Sequence, residues 1–145
     1  WEVTGGGGKL ELTGEIHGYG SADIRLDYWN ADERPVVIEA AVSHASAYPP
    51  LDLSVYTGIE LTVLNPDHQR KTVQLLLEDT NGVFFESQPA VIEDAFRQQI
   101  LVWSAESLAV DTSRVTRLAF RLMDPGGKGS LIFIRVNFPY RPEEE

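Results

Sequence analysis

The sequence predicts an all-β fold in which two antiparallel sheets pack face to face. Three observations carry this reading. Apolar and polar residues alternate with period two along most of the chain, turn-forming residues interrupt that alternation at short intervals, and no segment holds a helical period beyond about one turn, at residues 104–110. About eight short strands result. Strands that are apolar on one face only need a second sheet to cover that face.

Taken in order, Trp1 to Gly8 reads as a flexible lead-in, because four consecutive glycines lose much backbone entropy on ordering. A strand candidate follows at residues 9–13. In residues 21–28, Ala22, Ile24, Leu26 and Tyr28 share one face, opposite Asp23, Arg25 and Asp27. Residues 36–43 form a weaker candidate, and Pro49-Pro50 precedes the next strand. Ile59, Leu61 and Val63 alternate with Glu60, Thr62 and Leu64, and Asn65-Pro66-Asp67 closes that strand. Val73, Leu75 and Leu77 alternate with Gln74, Leu76 and Glu78. Asn81-Gly82 is a hairpin signal, because both residues tolerate positive φ. Weaker candidates at residues 83–87 and 96–103 precede two clear ones: Leu118, Phe120 and Leu122 against Arg117, Ala119 and Arg121, then Ile132, Ile134, Val136 and Phe138 against Phe133, Arg135 and Asn137. Asp124-Pro125-Gly126-Gly127 separates that last pair. The expected organisation is a lead-in (1–8), one sandwich domain (9–139) and an acidic tail (140–145).

Composition narrows the function. The 145 residues are 43% hydrophobic and 23% charged, an ordinary globular balance. A net charge of −10 argues against nucleic acid and against an anionic membrane surface, both of which need clustered basic groups. No apolar run reaches membrane-spanning length, and no signal peptide is visible; the abrupt start at Trp1 suggests that a leader or neighbouring domain was removed. Cysteine is absent, which removes disulfides, thiol catalysis and thiolate metal sites together.

Several stretches resemble the galactose-binding-like jelly rolls. Residues 20–28, a Gly followed by a strand of alternating residues, are similar to an early strand of that family. Residues 51–59 resemble its aspartate, apolar, serine, tyrosine run into a strand, with Asn65-Pro66 after it; residues 111–118 resemble the lead-in to its penultimate strand, and residues 131–138 its closing strand. The resemblance spans roughly residues 9–139 and implies a jelly-roll carbohydrate-binding module, of the kind attached to polysaccharide-degrading enzymes such as agarases. It further implies an extracellular or periplasmic setting within a larger multidomain protein. Many members hold a structural calcium with an Asp in the final strand. Here the matching stretch, Phe133 to Phe138, has no carboxylate and carries Arg135, so Glu2 and Glu11 alone would leave the oxygen cage incomplete.

Sugar binding needs flat apolar faces for C–H groups and planar polar groups for hydroxyls. Trp29 shares its face with Arg25 and Asp27, which makes it the leading aromatic candidate, followed by Trp103 and Tyr56; Tyr19 and Tyr48 fall in expected loops. Arg117 and Arg121 share one strand face roughly 13 Å apart, and Arg135 joins them if the last two strands are neighbours. Such a guanidinium row suits acidic sugars. The competing reading is a solvated face paired with Glu39, Glu60 and Glu78. His17, His44 and His68 have no metal-ligand spacing, Ser43, His44 and Ser46 do not form a nucleophile–base pair, and no phosphate loop or paired-carboxylate signature stands out. The first functional reading is therefore a non-catalytic carbohydrate-binding module. The second is a structural or protein-interaction sandwich with an outer apolar patch at Leu64, Leu76, Leu101 and Phe133; an enzyme, lacking any convergent catalytic set, ranks third.

Overall fold

The computed structural model describes residues 1–16, 22–30, 33–39, 51–67, 69–93 and 97–140. The three histidines, Ser43, Ser46, Tyr19, Tyr48, the distal part of the 36–43 candidate and residues 141–145 lie outside them. The strands are β1 (Glu2–Gly5), β2 (Gly7–Ile16), β3 (Ala22–Trp29), β4 (Val36–Glu39), β5 (Gly58–Leu64), β6 (Lys71–Asp79), β7 (Phe84–Glu86), β8 (Ala90–Ile92), β9 (Gln98–Ser104), β10 (Val115–Met123) and β11 (Lys128–Asn137). Sheet A has the order β1-β4-β10-β6-β7, with β8 also on β6; sheet B has the order β2-β3-β11-β5-β9. All pairings are antiparallel. The two sheets form a jelly-roll sandwich.

The period-two pattern puts the core where the sequence predicts it on β3, β5, β6 and β10. Leu26, Tyr28, Ile59, Leu61, Val63 and Leu131 of sheet B meet Val36, Ile38, Val73, Leu75, Leu77, Leu118, Phe120 and Leu122 of sheet A. Each such apolar side chain contributes roughly 1.5–3 kcal/mol on burial. Phe120 is central, with the Trp1 ring stacked at 5.8 Å and the Trp103 ring tilted at 5.7 Å.

The structure corrects the sequence reading at four places. The lead-in is not loose: β1 pairs with β4, and β2 begins at Gly7. The glycines serve close packing, Gly6 turning the chain at φ 69° and Gly5 lying against the Val37 side chain. Strands β1 and β8 raise the number above about eight. β10 and β11 are joined by a short turn, with Gly127 at φ 77°, yet they enter different sheets. Finally, β11 changes phase. Leu131 and Phe133 face inward opposite Leu26 and Ile24, Ile132 faces outward opposite Arg25, and a bulge between Phe133 and Arg135 then returns Val136 to the core side. The expected outer apolar patch is lost with it. Leu101 and Phe133 turn inward, and Leu76 is fully buried although its phase is outward.

Candidate functional site

The eight sequence candidates divide among the outer faces of the two sheets, the core and one end of the sandwich. Arg117 and Arg121 lie on the outer face of sheet A, because β10 pairs with β4 and β6. Arg135 lies on the outer face of sheet B, opposite Thr62. The three arginines therefore do not form one row. Arg117 bonds Glu39 at 2.7 Å and covers the Phe84 ring at 5.8 Å; Arg121 reaches Glu86 at 2.9 Å. This face is an ion-paired surface. Trp103 is 7% exposed and packs on Phe120, a core position. Tyr56 sits before β5, against Phe138 at 5.6 Å and Tyr140 at 5.0 Å, at the end of the sandwich remote from Trp29.

Trp29, Arg25 and Asp27 do share one face, the outer side of sheet B. Register sets Trp29 between Gly7 of β2 and Lys128 of β11. A Cβ on Gly7 would lie 2.0 Å from the indole Nε1 and 2.5 Å from both Cδ1 and Cε2, distances that put the pyrrole ring face-on across the glycine. Its other face points to solvent, and the residue is 50% exposed. One step along the strand, the Arg25 Nε donates to Asp27 Oδ1 at 3.0 Å and its terminal NH2 to Ser130 Oγ at 3.1 Å, while Ser130 Oγ donates to Asp27 Oδ1 at 2.5 Å. The Ser130 hydroxyl chiefly, opposed by burial and helped by Arg25, holds the Asp27 carboxyl below its usual range. Arg135 is on the same face, roughly 20 Å from Trp29 at strand rise.

Beneath this face lies a group that sequence reasoning missed. Lys71 of sheet A is fully buried, and its Nζ donates to Asn65 Oδ1 at 2.8 Å, Asp67 Oδ2 at 2.6 Å and the Ser130 carbonyl. Asp67 Oδ2 also accepts from the Ser130 N–H at 2.8 Å. Burial works to raise the Asp67 carboxyl, but the Lys71 and Ser130 bonds outweigh it and the net direction is down. Tyr28 donates its hydroxyl to Asp124, which also accepts from Gln69 and the Gly126 N–H. Gly129 must lack a side chain here, since a Cβ would stand 2.3 Å from Asp67 Oδ2. One signal was available: Lys71 has the inward phase of Val73, Leu75 and Leu77.

Together Tyr28, Asp67, Gln69, Lys128, Gly129 and Ser130 line a shallow open recess of about 500 Å³ beside Trp29. A second hollow of about 420 Å³ lies between the sheets at the far end, among Trp1, Leu10, Ile24, Leu51, Phe120 and Phe133. Its walls are mainly apolar, with Arg135 as the charged residue among them, which suits core space better than a site for sugar hydroxyls. Among the described residues, calcium does not fit the arrangement. Glu2 and Glu11 belong to different sheets, and the buried oxygens at Asn65, Asp67 and Ser130 converge on the Lys71 ammonium instead. Among the described residues no three His, Cys, Asp or Glu side chains gather to hold a metal.

No protein-family model matches the chain, and no curated protein matches it by sequence. Solved structures do match. An exo-β-agarase superposes with a TM-score of 0.64 at 14% identity, over 99% of this chain and 23% of its own. A family 30 carbohydrate-binding module gives 0.60 at 11% identity, over 96% of this chain and 77% of its own. A family 11 carbohydrate-binding module of a cellulosomal cellulase of Clostridium thermocellum gives 0.58 at 10% identity, over 99% and 89%. The chain thus spans under a quarter of the agarase. These likenesses establish a jelly roll like that of carbohydrate-binding modules.

Proposed function

We propose that the chain is a non-catalytic carbohydrate-binding module that takes a poly- or oligosaccharide on the outer face of sheet B and thereby holds an attached or partner enzyme on its polymer, outside the cell. The observation that carries this reading is the Trp29 indole, laid across Gly7 with one face open and flanked by the fixed Arg25–Asp27–Ser130 set. An aromatic plane takes the C–H face of a sugar ring, and orientated polar groups beside it take hydroxyls. Arg25, Asp27 and Trp29 are the central contacts, with Ser130, Lys128 and, for a longer chain, Arg135 as additional ones. The solved carbohydrate-binding modules of the same fold support the reading, as does the 23% of the agarase chain that this fold occupies there.

The ligand class follows from charge. Around Trp29, Asp67 is matched by Lys71, which leaves the cations Lys9, Arg25 and Lys128 against the carboxylates Glu11 and Asp27; Lys9 is paired with Glu11 and Arg25 with Asp27. A surface with a single net positive charge, its other cations already ion-paired, favours a neutral glycan. Titration against a panel of neutral and acidic polysaccharides tests this: at least one neutral polymer binds with affinity insensitive to salt. Binding to acidic polymers alone, weakening with salt, overturns the neutral assignment. Failure of every sugar to bind ends the module reading.

A further inference from the structure

Strand β9 ends sheet B on one side, and among the described residues no strand pairs with its outer edge. An edge strand leaves alternate N–H and C=O groups pointing outward, and folded proteins protect such edges with charge, proline, a bulge or brevity. The other edges are protected in this way. β2 carries Lys9 and Glu11 and breaks register between Leu12 and Ile16; β1 has four residues and a break between Val3 and Gly5; β7 and β8 have three residues each. β9 has none of these devices. Its seven residues, Gln-Gln-Ile-Leu-Val-Trp-Ser, contain no charge and no proline, and they pair with β5 without a register shift. Its inner side is anchored by buried Leu101 and Trp103, whereas Ile100 and Val102 on the outer side are 58% and 63% exposed.

We propose that β9 is a self-association edge, where a second copy of this chain pairs antiparallel with it. Charge makes this edge the least repulsive approach for a second copy, and register supplies the match. A chain of net charge −10 repels its own copy over most approaches, and β9 offers a strip free of charge. The strand is also complementary to itself about Leu101. Antiparallel pairing centred there sets Ile100 of each copy opposite Val102 of the other, Gln99 opposite Trp103 and Gln98 opposite Ser104. Each copy contributes the same surface, so the contact closes as a twofold dimer instead of growing into a filament. Sheet B then continues across the axis, with both outer faces on one side. On the carbohydrate reading, which this consequence alone rests on, the dimer presents two Trp29 surfaces to one polymer and gains avidity without a new sugar contact.

Sedimentation of the full chain over a concentration series, in the absence of any glycan, tests the pairing independently of sugar binding. The wild-type chain forms a dimer. I100K/V102K, which sets like charges directly opposite twice, sediments as a monomer with an unchanged circular-dichroism spectrum. I100K/V102E dimerises, because the register places each introduced cation against an introduced anion, and its dimer weakens with salt. A monomeric wild-type chain overturns the proposal and leaves the edge to a different partner. So does a dimer that persists in I100K/V102K, or a folded I100K/V102E that remains monomeric.

Discussion

The outer faces of the two sheets are built from similar residues and do different things with them. On sheet A, Arg117 and Arg121 are matched to Glu39 and Glu86, and the Phe84 ring lies under a guanidinium. On sheet B, Arg25 is matched to Asp27, but Trp29 keeps one face free, because its neighbour across the strand is a glycine. What distinguishes a surface that is satisfied from one that can receive a ligand is the aromatic plane left open, since arginines are present on both.

Five experiments sharpen that contrast. The largest effect belongs to the residue that joins the two faces. Lys71→Met strips the ammonium from Asn65, Asp67 and the Ser130 carbonyl, leaving buried acceptors without a donor. Stability falls by about 3 kcal/mol, read as a drop of about 10 °C in thermal midpoint. Trp29→Ala weakens sugar binding by about 30-fold, near 2 kcal/mol, with little change in stability. Gly7→Ala reaches the same loss from the neighbouring strand by displacing the indole; intact affinity in either variant would move the site elsewhere. Arg117→Ala on sheet A costs about 1 kcal/mol in urea denaturation and leaves sugar affinity unchanged. The smallest effect is acid sensitivity. Asp27 and Asp67 both lie below their ordinary value of 3.8 in the folded chain, so their contribution is complete above that pH and fades as pH falls through the lower folded values. Stability measured between pH 5 and pH 2 therefore declines, and Ser130→Ala, which removes the hydroxyl bond to Asp27, makes the decline shallower.

Much of the fold was legible because period-two alternation reports burial directly. Leu26 and Tyr28, the Ile59–Leu61–Val63 set and the Val73–Leu75–Leu77 set all point inward as their spacing requires. Asn81-Gly82 turns the chain with Gly82 at φ 77°. What alternation does not encode is which sheet a strand joins. The turn after Asp124 leaves open whether the last two strands are neighbours; β10 and β11 part company there, and this separates Arg117 and Arg121 from Arg135. A bulge is equally silent in the pattern, so Phe133 and Ile132 exchange sides. Trp29 with Arg25 and Asp27 was visible because all three lie on one strand, where parity alone fixes the face. Ser130 and Gly7 were invisible for the opposite reason: their roles depend on neighbours brought from distant parts of the chain.

The bond between Arg25 and Ser130 joins residues 105 positions apart. During synthesis, β3 leaves the ribosome long before β11, and the Lys71 ammonium, with Asn65 and Asp67 close in sequence, lacks its backbone partner until Ser130 arrives. The proposed binding surface thus comes into being late and all at once, when the final strand slots between β3 and β5. A nascent chain halted at the β10–β11 turn would already hold most of its apolar residues, but the scaffold beneath Trp29 would not yet exist.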